Sequence, residues 1–351
     1  MGRPVFLGLL LALALALAQR LTAPEEVARS QVIKRALPAV VRIQGTAPAA
    51  DGGTVGTGFF VSPLRVVTNY HVIQDLSDLT IRLYDGRAFP AERFAVDPGI
   101  DLALLTVKGV QAPAVLSFNR ASPESLPLGM GLVLVGFPYG QGPLASSGIL
   151  AGVGPLEVPT PDPSISIGAE VGAYLFTDAP LTVGNSGSPL LNLQGEVMGV
   201  VADVVGGPSG VGGIGVAIPG ELAAQSVEDL ERFGIPQRGW LGASLVSLEE
   251  LPPVLLRALG LTTTQGAMVD RVEPGSPAAR AGLRGAQRDA QGRLLALGDV
   301  ILAINGKPVK DKAEVVRQIA RFRPGDRVRL TLWREGRRLE ATLVMMARPR
   351  R

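Results

Sequence analysis

Between Ala39 and about Pro219 the chain is built from short apolar runs rather than long amphipathic ones. Val40-Val41-Arg42-Ile43, Gly58-Phe59-Phe60-Val61, Leu79-Thr80-Ile81-Arg82-Leu83, Leu132-Val133-Leu134-Val135 and Val197-Met198-Gly199-Val200-Val201 read as strands, and Gly, Pro and Asp punctuate them. The intervals predict a β-barrel or sandwich. No rhythm of alternating long helices supports a doubly wound sheet. Helical patterning is confined to the flanks: a short amphipathic stretch over about Glu25 to Arg35, and a helix that begins near Glu221 and ends at Phe233-Gly234-Ile235-Pro236.

Pro236-Gln237-Arg238 is the best domain boundary. Beyond it strands and helices mix, with a helix over Ala313 to Phe322 and a hairpin of Val328 to Trp333 and Leu339 to Val344 turned at Glu335-Gly336. That predicts a compact α+β module after a mainly β one. Two stretches, 152–168 and 205–213, are rich in Gly and Pro and read as loops of the kind that carry function.

Composition removes several classes of chemistry. The 351 residues contain no cysteine and one histidine, His71. A thiolate nucleophile, a disulfide framework and a zinc site of the usual ligands are therefore excluded. Covalent catalysis, if present, must use serine, threonine, lysine or a carboxylate. The net charge is only +3, and the basic residues are scattered except in the tail Arg348-Pro349-Arg350-Arg351, so nucleic acid is not an expected partner. At the N-terminus, Arg3 precedes an uncharged stretch from Pro4 to Ala18 that ends in Ala14-Leu15-Ala16-Leu17-Ala18. As a helix it would reach only ~22 Å against a hydrocarbon core of ~30 Å. Residues 1–18 read as an export signal cut after Ala18. Left uncut, they would form a short membrane anchor, the one expected membrane contact, and in either case the folded part lies outside the cytoplasm.

His71 follows the strand-like Val66-Val67-Thr68-Asn69, where a base can face a cleft. Asp101 precedes the apolar Leu102-Ala103-Leu104-Leu105, which would hold its carboxylate at a strand edge, able to orient an imidazole N–H. Asp97 and Asp85 are rivals in turn-like settings. Ser186 lies in Gly184-Asn185-Ser186-Gly187, whose glycines permit a tight turn that exposes a nucleophile and aims backbone N–H groups at an oxyanion. A histidine, an aspartate and a serine in that order are the parts of a hydrolytic triad.

These segments resemble the HtrA/Deg family of trypsin-like serine proteases carrying a PDZ domain. The matching motifs are Gly56-Thr57-Gly58-Phe59-Phe60, Thr68-Asn69-Tyr70-His71-Val72, Asp101 to Leu105, Gly184 to Gly187 and Gly213 to Pro219. In the second module they are Arg238-Gly239-Trp240-Leu241-Gly242, Val272-Glu273-Pro274-Gly275-Ser276-Pro277-Ala278 and Gly298 to Gly306. The resemblance implies a trypsin-like protease domain over 24–235, two six-stranded barrels with the triad between them, and a PDZ domain over 239–348. It implies His71 as base, Asp101 as its orienter, Ser186 as nucleophile, and an oxyanion hole at Gly184, Asn185 and Ser186. No cofactor or metal is expected. Pro180 and Leu181, in the apolar Ala179-Pro180-Leu181, would line a substrate pocket without a carboxylate, favouring small aliphatic residues before the cut.

Gly239, Trp240, Leu241 and Gly242 would present N–H groups to the terminal carboxylate of a C-terminal peptide, and the strand after them would accept the peptide by β-augmentation. The resemblance further implies a homotrimer held through about Ala23 to Leu37, and an ATP-independent endopeptidase that degrades misfolded or unfolded exported polypeptides for envelope quality control, regulated by peptide binding to its PDZ domain, in the periplasm or on the outer face of the cytoplasmic membrane. The alternatives are a PDZ-based chaperone or a signalling protease with one substrate. The chain departs from the family pattern at Ser188, where a second glycine is usual, at Thr182-Val183 in place of Asn-Pro, at the short Thr46 to Val55, and at an insertion, Arg284 to Leu295, like one in the chloroplast Deg branch.

Overall fold

The computed structural model of the chain describes residues 24–47, 55–156, 171–205 and 213–348, apart from residues 262, 290 and 292. The export signal expected over 1–18 and most of the loops at 152–168 and 205–213 lie outside the described residues. Among the described residues no helix is long and apolar enough to cross a membrane. The chain divides into two compact units, the second running from residue 228 onward and taking in residues 97–100 as well.

The first unit opens with α1 (Pro24–Ala36), which carries Glu25 and Glu26 in its first turn and Lys34 and Arg35 in its last, matching the helix dipole at both ends. It buries only Val32 and Ala36, so its amphipathic character is weaker than its sequence pattern predicts. Six strands follow: β1 (Val40–Thr46), β2 (Val55–Ser62), β3 (Arg65–Asn69), β4 (Ser77–Leu83), β5 (Ala88–Asp97) and β6 (Leu102–Val107), with the single-turn α2 (Tyr70–Ile73) between β3 and β4. They close into a barrel in the order β1-β2-β3-β6-β5-β4. Val41, Ile43, Phe60, Val66, Ile81 and Leu105 fill its interior.

The second barrel uses β7 (Gly131–Gly136), β8 (Leu144–Gly154), β9 (Tyr174–Thr177), β10 (Pro189–Leu191), β11 (Val197–Val205) and β12 (Ile214–Pro219), closed in the order β10-β11-β12-β9-β8-β7. Leu132, Leu134, Leu150, Leu175, Leu190 and Ala217 form its core. Every strand expected from the apolar runs is present. α3 (Gly220–Phe233) follows β12, as its stop signal at Gly234 requires.

The second unit contains β13 (Ala243–Ser247), α4 (Pro253–Leu259), β14 (Ala267–Val272), α5 (Pro277–Arg280), β15 (Gln287–Arg288), β16 (Leu294–Ala296), β17 (Val300–Ile304), β18 (Lys307–Pro308), α6 (Lys312–Ala320), β19 (Arg327–Arg334) and β20 (Arg337–Val344). Its main sheet runs β13-β14-β17-β19-β20, which leaves β13 at an edge. The β19–β20 turn places Glu335 at φ 49° and Gly336 at φ 77°, the two positive angles that a tight hairpin with the native strand twist needs. Within the insertion, β15 and β16 form a separate two-stranded hairpin.

Candidate active site

β3 and β6 pair side by side, with Asn69 opposite Leu102, so the residues that follow one strand and precede the other are neighbours. His71 is on the turn of helix after β3, and Asp101 immediately precedes β6. Asp101 adopts φ 57°, an uncommon conformation for a residue with a side chain. Its carbonyl accepts from Asn69 Nδ2 at 3.0 Å and from Tyr70 N–H at 3.1 Å, which fixes it there. The Asp101 carboxylate then meets His71 twice: Oδ1 accepts the backbone N–H at 2.9 Å, and Oδ2 lies 2.7 Å from Nδ1. Asp101 is 4% exposed. A buried carboxylate on Nδ1 holds that nitrogen as the donor and leaves Nε2 as the acceptor, the tautomer a general base needs. Neither rival makes such a contact: the carboxylate of Asp85 accepts from Arg87, and that of Asp97 from Arg238.

Ser186 sits on a turn that the rest of the unit holds closely. Gly184 has φ 96° and Gly187 has φ 85°. A Cβ on Gly187 would lie 2.0 Å from the Thr57 carbonyl oxygen, so only glycine fits. Thr57 in β2 braces the turn from the other barrel, its N–H donating to Ser186 O at 2.9 Å and its Oγ1 to Gly184 O at 2.7 Å. The same Oγ1 accepts from Phe137 N–H, and Thr68 Oγ1 donates to Thr57 O. Asn185 donates its N–H to Thr182 O, while no acceptor among the described residues takes the N–H of Gly184 or Ser186. Those two free donors flank the nucleophile turn, where an oxyanion would form. The side chain of Asn185 is buried, and its Oδ1 has no partner among the described residues.

The Ser186 hydroxyl donates to Ala202 O over a long 3.4 Å, and among the described residues no hydrogen bond joins it to His71. Substrate-free sites are commonly loose in this way. Ser188 is fully buried, its Oγ has no partner among the described residues, and its backbone is not in the left-handed region, so the position does not demand the second glycine of the family pattern. Pro180 is exposed. Leu181 packs into the second barrel against Gly215, whose missing side chain makes room for it.

Asp203 escaped the motif reading. It is the single charge in the apolar strand Val197–Val205, and that oddity was the available signal. Its Oδ1 accepts the N–H of Val204 at 2.7 Å. Burial raises its carboxyl above the ordinary range; the Val204 N–H and His71 pull it down, and Asp101 adds to the rise.

In the second unit, Gly239, Trp240, Leu241 and Gly242 line a groove with Leu245 of β13 and Val315, Val316 and Ile319 of α6. Gly239 and Trp240 already donate to Phe322 O and Met346 O, at 2.6 and 2.9 Å. Among the described residues no acceptor takes the N–H groups of Leu241 and Gly242, which lie at the mouth of an apolar channel beside an edge strand.

Comparison with known proteins matches these two sites to two families. Residues 56–200 fit the trypsin-like peptidase domain and residues 239–344 the PDZ domain. The periplasmic pH-dependent serine endoprotease DegQ of Escherichia coli strain K12 is 33% identical over 340 residues, covering 90% of this chain and 69% of DegQ. The chain belongs to the HtrA family of serine proteases. A probable periplasmic serine endoprotease, DegP-like, of Rhizobium meliloti is 34% identical over 288 residues, covering 80% of this chain and 51% of that one. The chain thus spans about half to two thirds of the length of these curated relatives. Among solved structures, the HtrA-type protease AlgW with a decapeptide superposes with a TM-score of 0.69 at 27% identity, over 92% of this chain and 99% of that one. A serine endoprotease from Yersinia pestis gives 0.63 at 28% identity.

Proposed function

We propose that this HtrA-family chain is an exported, ATP-independent serine endopeptidase that cleaves unfolded polypeptides in the periplasm. Ser186 attacks the scissile carbonyl; His71 takes the hydroxyl proton through Nε2 and returns it to the leaving amine; Asp101 stabilises the imidazolium. The N–H groups of Gly184 and Ser186 receive the oxyanion. The observation that carries this reading is the doubly bonded pair His71–Asp101 together with a braced turn, closed by two glycines, that carries Ser186.

The protease domain is assigned to 24–235 and the PDZ domain to 239–348. Residues 239–242 and the α6 groove bind the C-terminus of a peptide, a reading supported by the solved structure of the HtrA-type protease AlgW with a decapeptide. We assign α1 and the residues to Leu37 to trimer contact, by likeness to the family. Small aliphatic residues are favoured before the cut.

The test is turnover of reduced casein by the wild-type chain and by Ser186→Ala, with fluorophosphonate labelling of Ser186. A loss of roughly 10³-fold or more is expected. Equal turnover by the two proteins, or wild-type protein that neither labels nor cleaves, rejects the protease reading and leaves the PDZ-based binding function.

A further inference from the structure

One edge of β11 is open beside the nucleophile. β10 covers β11 only as far as Val200, and the ladder is completed by Gly187 N–H to Val201 O at 2.8 Å and Val201 N–H to Ser188 O at 3.0 Å. On its other edge β11 stays paired with β12 through Val205. Among the described residues nothing pairs with the edge from Ala202 to Val205, and its first carbonyl, Ala202 O, is the one that faces Ser186 Oγ. An extended chain adds to such an edge by backbone hydrogen bonds.

The register fixes what that chain would meet. Val201, opposite Ala217, turns both its backbone groups away from β12, so Val216 is the residue of β12 that faces β11. The strand bulges between Val201 and Asp203, leaving Ala202 without an opposite number, and pairing resumes with Asp203 at Val216 and Val204 at Gly215. Asp203 thus faces the ladder with its backbone, and Val204 N–H faces the open edge. That N–H is the one capped by the Asp203 carboxylate. The donor a substrate strand would use is held by the only acidic side chain of the strand.

We propose that Asp203 selects a lysine or arginine at the second residue before the scissile bond. This rests on the protease reading above. A substrate running antiparallel to β11, with its reacting residue at Ala202, places that second residue opposite Asp203 and a backbone carbonyl one residue further on at Val204 N–H. Binding hands the N–H from the carboxylate to the substrate carbonyl. The released carboxylate, half-buried, then lacks a hydrogen-bond donor, and a cationic substrate side chain supplies one. A neutral side chain leaves it poorly solvated, and an acidic one repels it. Its carboxyl is already raised by burial, with His71 and Asp101 the charged groups acting on it.

The experiment uses the full chain and fluorogenic peptides that share valine before the cut and carry Lys, Gln or Glu at the preceding residue. For wild type, kcat/KM is expected to favour Lys over Glu by roughly fivefold or more, the scale of a part-exposed ion pair. Asp203→Asn, isosteric and still able to cap Val204 N–H through its amide oxygen, should level that ratio, and Asp203→Lys should reverse it. Because Asp203→Lys can fail to fold, the Asn variant decides. A wild-type enzyme indifferent to the charge, or a bias that survives in Asp203→Asn, overturns the proposal. A wild-type chain that cleaves none of these peptides nor casein overturns the protease reading as well, and so separates the two failures.

Discussion

Asp101 shows how much a single residue's backbone can decide. Its φ of 57° costs of order 1 kcal/mol or more for a residue with a Cβ, and the two hydrogen bonds to its carbonyl offset that cost. Asp101→Asn keeps the shape but gives Nδ1–H an amide that can present N–H where an acceptor is needed. A loss of kcat approaching 10⁴-fold is expected, with the fold retained. Since His71 is the only histidine, its ring resonances can be followed by NMR in the same samples without assignment, and unchanged ring shifts in Asp101→Asn would contradict the pairing. Ser188 is the opposite case: its buried hydroxyl has no partner among the described residues and its φ needs no glycine. Ser188→Ala should raise stability by about 1 kcal/mol in urea unfolding, through loss of an unsatisfied polar group. A fall in stability would mean that the hydroxyl has a partner. His71, Asp101 and Ser186 were legible because local motifs carry them. Asp203 was not, because its significance depends on a bulge and an open edge, and register is a property of paired strands rather than of one strand.

Elements were legible to the degree that their faces differ. The strands of both barrels alternate or run apolar throughout, and their existence follows from the sequence; their closure into two rings does not, since neighbours such as β3 and β6 are separated by two other strands in the chain. The β10–β11 turn shows how polar side chains finish such an element. Glu196 accepts from Asn192 Nδ2 at 2.8 Å and from Asn119 Nδ2 at 2.9 Å, and these bonds hold its carboxyl below the usual range. A lowered folded-state pKa contributes stability above the unfolded-state value, and that contribution is lost as pH falls through the folded-state value. Glu196→Gln should therefore cost up to about 1 kcal/mol near neutral pH and close to nothing in strong acid, the part-exposed site keeping the effect small. Urea midpoints of the two proteins that differ equally at about pH 7 and about pH 3 would contradict this origin.

For the whole molecule the sequence separates two modules at Pro236-Gln237-Arg238, and each carries its own binding chemistry. The second shows its use in the pairing of an edge strand with an apolar helix face. Among the described residues β13 has an unpaired edge, α6 offers Val316 to the groove, and the N–H groups of Leu241 and Gly242 at its end have no acceptor. The motif points all four residues from Gly239 to Gly242 at the carboxylate, yet Gly239 and Trp240 spend their N–H groups on Phe322 and Met346, contacts that no motif encodes. A peptide with a free apolar C-terminus should bind the full chain, and amidating that terminus should weaken binding by at least roughly tenfold, since hydrogen bonds to a charged acceptor are lost. Val316→Glu should weaken it comparably by placing a second anion in the channel, while Ser186→Ala should leave it unchanged, because the nucleophile lies in the other unit. Isothermal titration of the four combinations decides. If the amidated peptide binds as well as the acid, the Leu241 and Gly242 donors are not a carboxylate site, and whatever the groove holds, it holds by its apolar wall alone.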